Sequence, residues 1–207
     1  RMWALLRKVC KPNAAMCFTC QQPFTTTLVA SNMREFRYDW VFEKSNATGH
    51  LNAKKMPMKA HESVATFYRQ LPTFNPQTTE TTKAYHVTPG NRVQSATYGA
   101  APSRNSTAKG VRTRYPRSVQ QFASLNPNRS KRYPLHPTEK PVALYEYFLR
   151  TYTNPGDFAL DPTAGVLTMA MAAHNTGRSA VVIEREQGYV DNGVQRLQDA
   201  EASFAVI

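Results

Sequence analysis

Acidic residues are almost missing from one stretch of this 207-residue chain. Between positions 44 and 132 only Glu62 and Glu80 stand against 15 Lys and Arg, whereas the remainder holds 11 basic and 12 acidic residues. The formal net charge of +12 therefore has a single source. A positive field concentrated in this way attracts polyanions, and its phosphate contacts weaken as salt rises. Cysteine is scarce as well. Cys10, Cys17 and Cys20 are odd in number, and a chain this long needs no disulfides, so a reducing cytoplasm is the expected setting. No apolar run approaches the roughly 20 residues of a membrane span. The 14 prolines include no Pro-Pro dipeptide, and no second glycine follows Thr163-Ala164-Gly165 closely.

What is present alternates between helical and extended patterns. Residues 1–10 read as a helix with Trp3, Leu6 and Val9 on one face, stopped by Lys11-Pro12-Asn13. Ala14 to Thr19 reads as a buried strand. Cys17 and Cys20 have CxxC spacing, but residues three apart on a strand face opposite sides, which disfavours a shared metal. Phe24 to Met33 suits a helix, while Phe36 to Phe42 and Ser63 to Tyr68 suit strands. From Pro72 to Leu135 no helical or strand period persists. Arg112, Arg114, Arg117, Arg129, Lys131 and Arg132 lie there, interleaved with Tyr85, Tyr98, Tyr115, Phe122 and Tyr133. Such a mixture suits base stacking and phosphate bracing, or anchoring of a long loop on a core.

Order returns at His136. Thr138 is a candidate helix cap and Pro141 a first-turn residue, followed by the apolar stripe Val142, Tyr145, Phe148, Leu149 and Tyr152. Phe158 to Leu160 is a strand delivering Asp161 to its C-terminal end. Leu167 to His174 is a helix stopped at Gly177, Ser179 to Ile183 the next strand, and Gln187 to Ala200 the closing helix. Strand, glycine turn, helix, strand and carboxylate make a nucleoside-binding βαβ layout. Glu184 follows Asp161 by 23 positions, which fits the distal ribose-binding carboxylate of such a unit.

Several stretches together resemble DNA methyltransferases acting on exocyclic amines, adenine N6 or cytosine N4, in bacteria and phage. They are Lys11-Pro12-Asn13, Tyr38 to Lys44, Leu51-Asn52-Ala53-Lys54-Lys55-Met56-Pro57 with His61-Glu62 and Leu71-Pro72, and His136-Pro137-Thr138-Glu139-Lys140-Pro141 with Asn154-Pro155-Gly156-Asp157. The similarity is to the permuted subgroup whose cofactor half follows its target-recognition region, and it covers most of the chain except about 83–130. It implies an α/β, Rossmann-like fold dependent on S-adenosylmethionine. Residues 1–71 would be a catalytic-half remnant, 72–135 a basic recognition insertion and 136–207 the cofactor-binding half.

By the same resemblance Asp161, Pro162, Thr163, Gly165 and Thr168 line the cofactor pocket and Glu184 holds the ribose hydroxyls. His136, Thr138 and Lys140 flank the methionine end. Lys44, Lys54, Lys55, Lys59, Arg112 and Arg114 are the candidate contacts to double-stranded DNA. The chain departs from the pattern twice. Leu167 replaces a glycine, and a side chain there is expected to obstruct the cofactor. The Pro-Pro-aromatic loop that grips the target amine is absent. Three readings follow: an enzyme truncated before its catalytic loop, with an incomplete sheet; a non-catalytic DNA-binding protein derived from one; or, on charge alone, a basic RNA-binding protein.

Overall fold

The computed structural model describes residues 1–87, 108–124, 136 and 138–200. In chain order the elements are α1 (Met2–Val9), β1 (Met16–Cys20), α2 (Phe24–Ala30), β2 (Phe36–Thr48), β3 (Lys59–Phe67), β4 (Thr79–Val87), β5 (Ala108–Arg114), β6 (Val119–Phe122), α3 (Val142–Tyr152), β7 (Phe158–Asp161), α4 (Thr168–Thr176), β8 (Ser179–Val182) and α5 (Gln187–Asp199). They divide into two units, Arg1–Asn75 with Arg117–Ile207, and Pro76–Pro116. Among the described residues no helix is long and apolar enough to cross a membrane.

The larger unit contains a sheet of order β1-β3-β2-β6, with β3 antiparallel to β1 and β2, and β6 parallel to β2. Its two faces follow from the period-2 alternation of the strands. Met16, Phe18, Cys20, Ala65 and Phe67 pack with Trp3 and Leu6 of α1 and Leu28 and Val29 of α2. Cys17, Trp40, Phe42 and Val64 turn the other way and pack with Leu144, Tyr147 and Phe148 of α3. Cys17 and Cys20 thus face opposite sides of β1. Val9, expected on the α1 stripe with Trp3 and Leu6, is 68% exposed because the helix ends there.

β7 and β8 form a parallel pair from Phe158↔Ser179 to Asp161↔Val182, joined through α4. Among the described residues no ladder joins this pair to the four-stranded sheet, in keeping with an interrupted sheet. α3 spans the interval instead. One side meets the sheet, while Val142, Tyr145 and Leu149 meet Ala172 and Ala173 of α4, Ala159 of β7 and Ala180 of β8. Leu144 and Leu149 are 2% and 4% exposed, and burying a leucine fully contributes about 1.5–3 kcal/mol.

Polar contacts fix the far end of α3. The Tyr152 hydroxyl accepts a hydrogen bond from Trp40 Nε1 at 2.9 Å and shares another with the Tyr38 hydroxyl at 2.9 Å. The Asn75 amide donates to the carbonyls of Arg150 and Thr153, and its backbone N–H donates to Thr151, closing carbonyls that a helix end leaves open. At the other end the helix begins at Val142, with Pro141 just outside it. Thr138 does not cap it: its N–H and hydroxyl lie on the His136 ring.

The structure also corrects the reading of residues 72–135 as devoid of regular elements. β4 and β5 form an antiparallel pair in the smaller unit, running from Thr79↔Arg114 to Val87↔Ala108 with two register shifts. β6 belongs to the larger unit, pairing Val41↔Val119 through Lys44↔Phe122. Register shifts break the alternation a strand shows in sequence, and β6 is only four residues long. Tyr98, Arg129, Lys131, Arg132, Tyr133 and Pro137 lie outside the described residues, as does the side chain of Tyr85.

Tyr152→Phe is expected to leave the buried Trp40 N–H unsatisfied and to lower stability by about 1–3 kcal/mol, read as a lower urea midpoint with an unchanged slope. An unchanged midpoint would show that the network does not hold α3.

Candidate functional site

The C-terminal ends of β7 and β8 carry the two predicted carboxylates. Asp161 closes β7, and its Oδ1 accepts the Thr163 N–H at 3.0 Å, bending the chain back. Strand pairing continues past both strand ends, with Ile183 N–H donating to Asp161 O and Ala164 N–H to Ile183 O, each at 2.9 Å. Gly165 follows at φ +55°, and its N–H donates to Glu184 Oε2 at 2.8 Å. Glu184 Oε1 accepts two more backbone N–H groups, Arg185 at 2.8 Å and Glu186 at 3.0 Å. One carboxylate therefore ties the glycine turn to the chain leaving β8. A Cβ at position 165 would stand 3.6 Å from the His136 ring in a backbone region that L side chains rarely adopt.

The His136 to Lys140 segment is held over this turn from three directions. The His136 ring meets Tyr189 of α5 edge-on at 4.3 Å, and its Nδ1 accepts the Thr138 N–H at 3.2 Å. Glu139 is paired with Arg196 of α5 at 2.7 Å. The Lys140 ammonium lies 2.8 Å from Glu62 on β3, and the Lys44 ammonium lies 2.6 Å from the other oxygen of Glu62. The resulting cleft is lined by His136, Thr138, Glu139, Lys140, Tyr145, Thr163, Ala164, Gly165, Val166 and Thr168. Asp161, Pro162 and Glu184 are adjacent in sequence or hydrogen bonding to the lining rather than part of it; Asp161 accepts the Thr163 N–H and Glu184 the Gly165 N–H.

The two carboxylates are driven apart in acidity. Burial pushes the Asp161 carboxyl up, the Thr163 N–H opposes this, and the charge of Glu184 adds to it. The backbone N–H of Glu186, joined by those of Gly165 and Arg185, holds Glu184 below the usual carboxylate range. Burial, with the charge of Asp161 adding to it, pushes the Tyr145 phenol up, so it stays protonated. Environments that separate two acids in this way are characteristic of functional sites.

Leu167 does not obstruct the cleft. It takes a left-handed conformation, φ 57° and ψ 33°, at the start of α4, which turns its side chain into the core against Met171 and Leu197. It is 2% exposed and absent from the cleft lining. Left-handed backbone costs a leucine about 1–2 kcal/mol, an amount comparable with what burial of the side chain contributes. Gly193 of α5 supplies the room: a Cβ there would lie 2.4 Å from Leu167 Cγ.

The basic candidates separate into two groups. Lys44 is not presented for phosphate contact, because its side chain is 15% exposed and committed to Glu62. Lys140 lines the cleft and shares that same carboxylate. Lys54, Lys55 and Lys59 are exposed around the β2–β3 connection, Lys59 donating to the Gln21 side-chain carbonyl. Arg112 and Arg114 are exposed on β5 of the smaller unit. Sequence reasoning missed Tyr145 and Glu62. Tyr145 is indistinguishable from its apolar neighbours on the α3 stripe. Glu62 did carry a signal, as one of two acids in a long basic stretch.

Residues 1–195 match the model of the N6/N4 family described as DNA methylase. The chain belongs to this DNA methylase family. Among curated relatives, the DNA adenine methyltransferase YhdJ of Escherichia coli (strain K12) is 41% identical over 68 residues, 33% of this chain and 23% of that protein. The type II methyltransferase M.HpaI of Haemophilus parainfluenzae is 32% identical over 98 residues, 47% of this chain and 31% of that protein. The matched stretches span less than a third of the length of either relative. Solved structures share the fold. The M1.HpyAVI–SAM complex has a TM-score of 0.64 at 22% identity, covering 94% of this chain and 79% of that one. The cytosine-N4-specific PvuII DNA methyltransferase has a TM-score of 0.66 at 16% identity, covering 98% and 72%. The α/β fold is thus that of the S-adenosylmethionine-dependent DNA methylases.

Two expected outcomes follow for this DNA methylase chain. Burial works against ionisation of Glu62, but hydrogen bonds and charge from Lys140 and Lys44 outweigh it and hold its pKa below the ordinary glutamate value. Its stabilisation is therefore full above the unfolded-state value and lost as pH falls through the lower folded value. Glu62→Ala should cost about 3 kcal/mol at neutral pH by leaving two half-buried ammonium groups unpaired. Glu62→Gln should flatten the acid decline of the urea midpoint, and an unaltered decline would count against the ion cluster. Separately, Gly193→Ala should destabilise by about 1–3 kcal/mol through overpacking on Leu167, visible as a drop in Tm; a neutral substitution would contradict the close approach.

Proposed function

We propose that this chain binds S-adenosylmethionine in the cleft beside Gly165 and binds double-stranded DNA through its basic surface. It would do so as part of an enzyme that methylates an exocyclic amine of a base. The observation that carries the proposal is the arrangement at the ends of β7 and β8: two carboxylates of opposed acidity flank a glycine turn that one of them fastens by its backbone. Adenine N6 is favoured over cytosine N4 on the 41% identity with a protein named as an adenine methyltransferase.

The residues present suit the cofactor. Glu184, ionised and accepting three N–H groups, is an acceptor for ribose hydroxyls, and its Gly165-facing oxygen accepts one of the three while the other oxygen accepts two. Asp161 fixes the turn through Thr163, with Pro162 between them, while Gly165 permits close approach and Thr168 adds a hydroxyl to the lining. At the other end stand His136, Thr138 and Lys140. Lys44 and Lys140 together outweigh Glu62, leaving a net positive charge suited to a carboxylate. The bound cofactor would supply a methyl group made electrophilic by its sulfonium. No residue is assigned to the target amine, since these 207 residues contain no Pro-Pro dipeptide.

On this proposal residues 1–71 and 136–207 supply the methyltransferase core, 72–135 includes the recognition region, and Lys54, Lys55, Lys59, Arg112 and Arg114 are candidate phosphate contacts. Free cysteines suit a bacterial cytoplasm.

Calorimetric titration with S-adenosylhomocysteine tests the cofactor reading. Saturable binding is expected, weakened about 10- to 100-fold in Glu184→Ala, as for loss of a charged hydrogen-bond acceptor. Thermal melting would establish that the variant is folded. A folded wild-type chain that binds duplex DNA but no S-adenosylhomocysteine would overturn the proposal in favour of a non-catalytic DNA-binding protein.

A further inference from the structure

The connection between β2 and β3 exposes apolar side chains where a polar turn would be expected. Leu51 is 88% exposed, Met56 59% and Met58 42%. They do not hang on slack chain. The strands pair out to Thr48↔Lys59, and the tip is closed by N–H groups of Asn52 on Gly49 O, Ala53 on His50 O, and Lys55 and Met56 on Asn52 O. The apolar groups are therefore presented on a hydrogen-bonded support, which lowers the entropy lost when they engage a partner.

The charge around them selects the partner. Lys54, Lys55 and Lys59, all exposed, are interspersed in sequence with the exposed apolar residues, and no Asp or Glu occurs between Lys44 and Glu62. Further along β3, opposite Phe42, stands Glu62, whose carboxylate holds Lys140 of the cofactor cleft. Glu62 is three positions on from Lys59, about 10 Å along a strand. The tip thus rises from beside the cleft where the base chemistry is proposed.

We propose that this tip is a wedge for duplex DNA, in which Leu51 and Met56 press into the base stack while Lys54 and Lys55 hold the flanking phosphates. Chemistry on an exocyclic amine requires the base to leave the stack, and unstacking costs a few kcal/mol. Apolar side chains inserted between base steps offset that cost, and neighbouring lysines supply the sequence-independent attraction. The inference rests on the DNA-binding reading and adds a mode of contact to it.

The test compares wild type, the double variant Leu51→Ala, Met56→Ala and the double variant Lys54→Ala, Lys55→Ala. Fluorescence anisotropy at several salt concentrations would use one duplex fully paired and the same duplex with a single mismatch. Both pairs of side chains are on the surface, and Tm would verify folding. The apolar variant should lose about five- to tenfold in affinity for the paired duplex, with most of that loss recovered on the mismatch, where unstacking is cheaper. Its salt slope should match wild type, whereas the lysine variant should lose about 2 from the slope. Equal loss on both duplexes, or no loss, overturns the wedge while leaving DNA binding intact. A wild-type chain that shows no salt-dependent duplex binding overturns the DNA reading as well. Preferential binding of anionic vesicles through Leu51 and Met56 would reassign the tip to a membrane surface.

Discussion

One amphipathic helix has to serve two sheets at once. Along α3, Leu144, Tyr147, Phe148 and Tyr152 are matched to the four-stranded sheet, while Val142, Tyr145 and Leu149 are matched to α4 and the β7–β8 pair. Because the described strands of the two ladders share no hydrogen bonds, the relation between them depends on how this helix is packed and anchored. The Tyr38–Trp40–Tyr152 contacts and Asn75 fix its last turn, and the Glu62–Lys140 pair fixes the segment leading into its first. Tyr145 enters the cleft from the same helix, so the position of a cleft residue is inherited from core packing.

Ion pairing near the cleft has a different purpose from attraction of a polyanion. Glu62 sits opposite Phe42 on the β2–β3 ladder and draws in two lysines, one from its own sheet and one from the His136 to Lys140 segment. Paired charges with little solvent access are weak sources of net stability but strongly fix which groups lie together. Glu139 with Arg196 does the same on the α5 side. The cleft wall is thereby attached both to the sheet and to the closing helix, although none of its described residues from 136 to 140 lies in a helix or strand.

Much of the core fold was legible because its periodicities are long or clean. The α3 stripe, the β7–α4–β8 alternation and the 23-residue separation of Asp161 from Glu184 could all be read from residue order. β2 is longer than its apolar pattern suggests: apolar residues stop at Phe42, yet the strand continues to Thr48 because β6 pairs with it at Lys44 and β3 pairs again, past a register shift, at Thr48. The β4–β5 pair was missed because its register slips. The partners of Lys44 and Lys140 were illegible for another reason. A lysine in sequence announces a charge but not the carboxylate it will meet, and here that carboxylate lies 18 residues from one and 78 from the other. The effect of Leu167 was misjudged because a left-handed residue reverses where its side chain points.

That reversal makes positions 167 and 193 joint occupants of one volume. Leucine at 167 fills the space that the absent side chain of Gly193 leaves, and no Cβ fits at 193 while the leucine remains. Position 193 is therefore tied to the 166–167 turn itself: a side chain there would press on the Val166 carbonyl carbon at 2.9 Å as well as on the leucine, so the glycine is expected to be kept wherever the turn and α5 approach this closely. The shape of a cofactor turn is thus recorded on a helix two elements away.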